Sequence, residues 1–174
     1  MELSKQWERA VEFMQTAISL EPEYRDLYIY MNFLLMNLLV NRDLIYRDKG
    51  LHDYYTQLLR RYFHESYLKY SNNAEYMFCT GIIASMSISY MGINYDDCEK
   101  MLQQALKLDP NNILYQQTYY RNLDQNVPEQ LEETRAYANL ILQEKSMLVL
   151  ELKSRGALGE YLYGILHKWA LGVV

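Results

Sequence analysis

Residues 7–23 read WERAVEFMQTAISLEPE, and residues 95–111 read YDDCEKMLQQALKLDPN, nearly the same statement made 88 residues later. Superposed, they set Trp7 on Tyr95, Ala10 on Cys98, Met14 on Leu102, Ala17 on Ala105, Leu20 on Leu108 and Pro22 on Pro110. Aromatic, small and bulky residues returning at steps of three and four occupy one face of a helix, and the proline then ends it. A helix with one apolar stripe cannot bury that stripe alone. Repeating the unit lets neighbours cover one another, so the pattern predicts a stack of helices.

Composition agrees. A chain of 174 residues can enclose a core and reads as one domain, 1–174. Half of it is hydrophobic, with 7 glycines and 3 prolines, which excludes a disordered chain. Strand punctuation is scarce: no Asn-Gly or Asp-Gly turn occurs. The expectation is all-α. The charged start MELSKQWERA holds no signal-peptide core. The uncharged run Leu27–Asn41 is 15 residues long and includes Asn32 and Asn37, which suits a buried helix better than a bilayer span. Cys79 and Cys98 lack metal or disulfide spacing and read as small buried side chains in a reduced, cytoplasmic setting.

Apolar period and stop signals predict about eight helices. They are Ser4–Leu20, Tyr24–Tyr46, Leu51–Lys69, Ala74–Met91, Tyr95–Leu108, Asn112–Asp124, one opening at Pro128 and running to Lys145 or Lys153, and a closing Glu160–Leu171. Gly50 is read as a break, Asn73 and Asn94 as caps, and Gly156, Gly159 and Gly164 as a second break. Small residues in the fourth helix (Cys79, Gly81, Ala84, Ser85 and Ser87) predict close approach by a neighbour. The last helix is expected to cap the open end of the array.

The two matched stretches resemble the second helix of the tetratricopeptide (TPR) unit with its closing proline, through Leu20-Glu21-Pro22 and Leu108-Asp109-Pro110-Asn111-Asn112. The 88-residue spacing departs from that family's period of about 34 residues. Helices between Tyr24 and Met91 also lack its first-helix signature. The resemblance implies an irregular TPR-like superhelical stack with no catalytic chemistry, binding peptides or protein surfaces.

Charge placement points to a partner class. Residues 93–133 hold eight acids and three bases, which accounts for the whole net charge of −5. An acidic flank disfavours direct nucleic-acid binding and suits a basic protein. Helix dipoles are a competing explanation, because Asp96, Asp97, Glu129 and Glu132 fall in predicted first turns. Tyrosine is over-used, 18 against 4 phenylalanines, as at protein interfaces or in half-exposed inter-helix positions. The candidate partner-binding set is Asp96, Asp97, Tyr115, Tyr119, Asp124, Glu129, Glu132 and Glu133, with rings beside carboxylates to grip an arginine or lysine.

Catalytic signatures are missing: no GxSxG, GxxxxGK[ST], HExxH or GxGxxG occurs. His52, His64 and His167 lie far apart; His64-Glu65 is the one pair that could begin an acid/base or metal site. No cofactor, metal site or catalytic residue is expected. Three readings remain. The first is an immunity protein neutralising a basic toxin domain, by likeness of type to small acidic inhibitors of bacterial contact-dependent toxin systems. The second is a general TPR adaptor or chaperone for peptide segments, and the third is an enzyme around His64 and Glu65.

Overall fold

The computed structural model describes residues 2–41, 49–123, 128–143 and 147–172. Ten helices and no strand occur among them, so the chain is an all-α helical stack. The helices are α1 (Glu2–Leu20), α2 (Arg25–Val40), α3 (Lys49–Tyr70), α4 (Ala74–Met86), α5 (Ile88–Met91), α6 (Tyr95–Leu108), α7 (Ile113–Leu123), α8 (Pro128–Gln143), α9 (Met147–Ser154) and α10 (Gly156–Ala170). They gather into two compact units, Met1–Tyr115 and Gln116–Val174, whose boundary falls inside α7.

In the first unit α2 packs against α1, α3 and α4, and α4 packs against α6. The two inner helices are apolar on every side. On α2, Tyr28, Met31, Leu35 and Met36 are fully buried, and on α4 every residue from Tyr76 to Ala84 is buried. All-round hydrophobicity requires all-round neighbours, which places these two helices at the centre. The outer helices keep one stripe. Val11 and Ile18 serve α1; Cys98, Met101, Leu102 and Ala105 serve α6.

The predicted close approach is at Gly81. A methyl added there would lie 2.7 Å from Leu102 Cδ2, and the Cys98 thiol donates to the Gly81 carbonyl at 3.3 Å. Pro22 ends α1 as expected, and its carbonyl accepts from Lys69 Nζ at 2.7 Å and from Tyr28 Oη at 3.2 Å, tying the turn to α2 and α3. Asn73 caps α4 by accepting from the Tyr76 amide at 2.9 Å.

Several boundaries differ from the sequence reading. Gly50 sits in the first turn of α3, where backbone N–H groups have no helical acceptor and glycine costs little. The predicted helix Ala74–Met91 is cut at Ser87, whose φ −168°, ψ 94° is extended backbone. That cut also shortens the uncharged run 76–95, and no helix among the described residues is long and apolar enough to cross a membrane. Arg60 holds the short α5 by donating to the Ser89 and Tyr90 carbonyls at 3.1 Å each. Gly92, at φ 74°, supplies the left-handed cap.

In the second unit α10 packs on α8 and α9. Its core holds Ala138, Ile141, Leu152, Leu158, Leu162, Leu166 and Trp169. The predicted helix from Pro128 is two, α8 and α9; residues 144–146 and the end of the predicted Tyr24–Tyr46 helix lie outside the described residues. Gly156 turns the chain at φ 61°, but Gly159 and Gly164 lie inside α10, Gly159 against the Leu152 carbonyl. Arg135 Nε donates to the Ala170 carbonyl at 3.1 Å and closes that end of α10.

Candidate functional site

Asn94, Asp96 and Asp97 open α6, and their local sequence decides their geometry. Asn94 is extended (φ −105°, ψ 177°) and its side chain accepts from the Asp97 amide at 2.9 Å. Asp97 returns the bond, its Oδ2 accepting from the Asn94 amide at 3.1 Å. This reciprocal capping box satisfies two orphan donors and fixes the Asp97 carboxylate in one direction. Asp96, between them, points to solvent, and Tyr95 beside it is 56% exposed.

The Asp97 carboxylate lies on the edge of a half-open cleft of about 230 Å³ between α3 and the start of α6. Phe63, His64 and Tyr67 line it from α3; Ile93, Asp97, Lys100 and Met101 line it from the other side. Phe63 and Tyr67, one turn apart, have ring centroids 5.6 Å apart. Lys100 Nζ stands 3.9 Å from Asp97 Oδ1 with its side chain 72% exposed. Such an opening holds one side chain, with rings and methyl groups inside and charge at the rim.

The candidate residues divide between the two units. Asp96 and Asp97 lie at the opening of α6 in the first. Tyr115 belongs to the first as well, but it is buried and stacks on Phe78 with centroids 4.6 Å apart. Its ring is core, not a surface anchor. The ring turns inward because its stacking partner, Phe78, lies on the buried α4. In the second unit, Tyr119 is half-buried on α7, and Glu132 and Glu133 are exposed on α8. Glu129 belongs to α8, and Asp124 lies outside the described residues.

The histidine pair separates. Adjacent residues on a helix point about 100° apart, so His64 faces the cleft while Glu65 faces α2. Glu65 Oε1 accepts from Tyr28 Oη at 2.6 Å and stands 3.8 Å from Lys69 Nζ. Burial is the first cause that raises the Tyr28 pKa, with the bond to Glu65 adding to it. His52 meets Tyr90 edge-on at 5.5 Å, and His167 meets Tyr163 at 4.7 Å. Both cysteines are buried, and neither is in a disulfide. Burial pushes the Cys98 thiol up to about 11, so it carries almost no thiolate near neutrality. Among the described residues, no group of three or more His, Cys, Asp or Glu is placed to hold a metal ion.

Residues 63–67 and 93–101 are about thirty apart in sequence, and nothing in either stretch announces the other. The one legible hint was Phe63 and Tyr67 at helical spacing. No protein-family model, curated protein or solved structure matches the chain.

Proposed function

We propose that this chain is a non-enzymatic protein-binding module of the inhibitor kind: an immunity protein that neutralises a basic toxin domain, a nuclease by charge, in a one-to-one complex. One observation carries the reading. The Asp97 carboxylate, in the first turn of α6, lies on the edge of a half-open cleft lined by Phe63 and Tyr67, and the exposed Tyr95 and Asp96 precede it in the chain. A docking face needs an anchor pocket, rings at its edge and charge that selects the partner. Carboxylates steer a cationic partner at long range and raise the association rate, which suits a protein that must intercept a toxin. The dispersal of the histidines and the protonated state of Cys98 also weigh on the side of binding.

The experiment starts with the protein that co-purifies with this chain from its native host. Its affinity is then measured by calorimetry for two double variants, Asp96→Lys/Glu99→Lys in the first unit and Glu132→Lys/Glu133→Lys in the second. Only Asp96 lies in a first turn, where its reversal loses about 0.3–1 kcal/mol of dipole interaction, so folding survives. At least one double variant is expected to weaken binding tenfold or more, with steep salt dependence. The partner's nuclease activity should fall to zero at one equivalent of the wild-type chain. Unchanged affinity in both variants, or micromolar binding to isolated peptides of the partner, would refute the inhibitor reading, and the latter would favour an adaptor.

A further inference from the structure

We propose that the cleft between α3 and α6 receives an arginine side chain from the basic partner, an inference that rests on the protein-binding reading above and names the group inserted. The walls divide by chemistry. Phe63 and Tyr67 present two rings one helical turn apart, and Ile93 and Met101 are apolar on the facing wall. Asp97 adds a carboxylate whose Oδ2 is already oriented by the Asn94 amide, while its Oδ1 meets Lys100 Nζ only at 3.9 Å.

A guanidinium group uses all three features at once. Its planar cation stacks on a ring face, and its fork of donors reaches a carboxylate. Its methylene stem covers Ile93 and Met101. An ammonium group is a point charge and cannot both stack and fork, and an anion would face Asp97 with Asp96 exposed beside it. The volume, about 230 Å³, suits one long side chain. The net charge of −5 sets the same sign preference for the occupant. Lys100 is the competitor in this arrangement. Its exposed side chain leaves Asp97 when the guanidinium enters, so it sets the affinity rather than forming part of the wall.

The test uses the full chain and the probe N-acetyl-L-arginine amide, followed by side-chain NMR, against N-acetyl-L-citrulline amide as a neutral isostere and N-acetyl-L-lysine amide. The expected result is shifts confined to Phe63, Tyr67, Ile93 and Met101, with arginine bound about tenfold tighter than citrulline. Asp97→Asn retains an acceptor for the Asn94 amide, so the cap and the fold persist while the arginine preference disappears. Lys100→Gln strengthens arginine binding. Citrulline or lysine binding as well as arginine overturns the proposal, as do shifts outside the cleft, an absence of binding, or weaker binding by Lys100→Gln. If the probe fails while Asp96→Lys/Glu99→Lys still weakens the partner, only the cleft assignment falls. If that double variant and its α8 counterpart both bind normally, the inhibitor reading falls on its own evidence.

Discussion

Gly159 and Gly164 lie on the same helix, α10, and the same substitution should act on them in opposite directions. A Cβ at Gly159 would sit 2.6 Å from the Leu152 carbonyl carbon, closer still to its oxygen, and 3.1 Å from Arg155 Cβ. Unstrained carbon contacts are about 3.5–4.0 Å. The end of α9 and the start of α10 would therefore have to part by about 1.5 Å to free the oxygen. The obstacle is backbone, so no rotamer change relieves it, and Leu152, Leu158 and Leu162 pack tightly around the junction. Overpacking of this kind costs about 1–3 kcal/mol, here at the upper end. The intrinsic helix preference of alanine returns about 1 kcal/mol. Gly159→Ala should lose about 2 kcal/mol in net stability. Gly164 has nothing within 4 Å of the same added atom, so only the helix preference acts and Gly164→Ala should gain about 0.5–1 kcal/mol. Urea unfolding followed by circular dichroism, with a common m value, measures the difference as a separation of midpoints. Midpoints that coincide, or a Gly159→Ala variant as stable as the wild type, would refute the account of this helix junction.

Removing the Asn94 side chain in Asn94→Ala deletes the bond to the Asp97 amide and should cost about 1 kcal/mol; hydrogen exchange at the first turn of α6 should speed up, and unchanged exchange would count against the cap's role. Tyr76, fully buried, has its pKa pushed up to about 12 chiefly by burial. Its unfolded form ionises near 10, so the unfolded state loses its proton first, and stability present below pH 10 is lost as pH rises through 12. The loss should approach about 3 kcal/mol, and Tyr76→Phe should flatten that alkaline slope; an unchanged slope would exclude Tyr76 as its source.

Helix type and several ends were legible because they depend on nearest neighbours. Asn94 before Tyr95, Asn73 before Ala74 and proline after Leu20 each act within one turn of the chain, and all three behave as read. The helix over Tyr95–Leu108 begins and ends where its period predicted. Longer-range features were not written locally. Ser87 breaks an apolar run that looks continuous, and Gly50 and Gly159 look like breaks yet lie inside helices. At Gly159 close packing against the end of α9 outweighs a propensity of about 1 kcal/mol, whereas Gly50 lies in a first turn where glycine costs little.

The candidate site shows the same division. Charge and ring content marked residues 93–133 as a place for a cationic partner, since composition is carried by the sequence whatever the fold. Which rings face outward was decided by tertiary contact: Tyr115 went inward onto Phe78, while Tyr67 came to line a cleft with a helix some thirty residues away. The sequence by itself determined helices, caps and net charge, because these arise from interactions within a few residues. Tertiary structure alone decided the cleft and the burial of each tyrosine, because a surface exists only once two helices have chosen which faces to share.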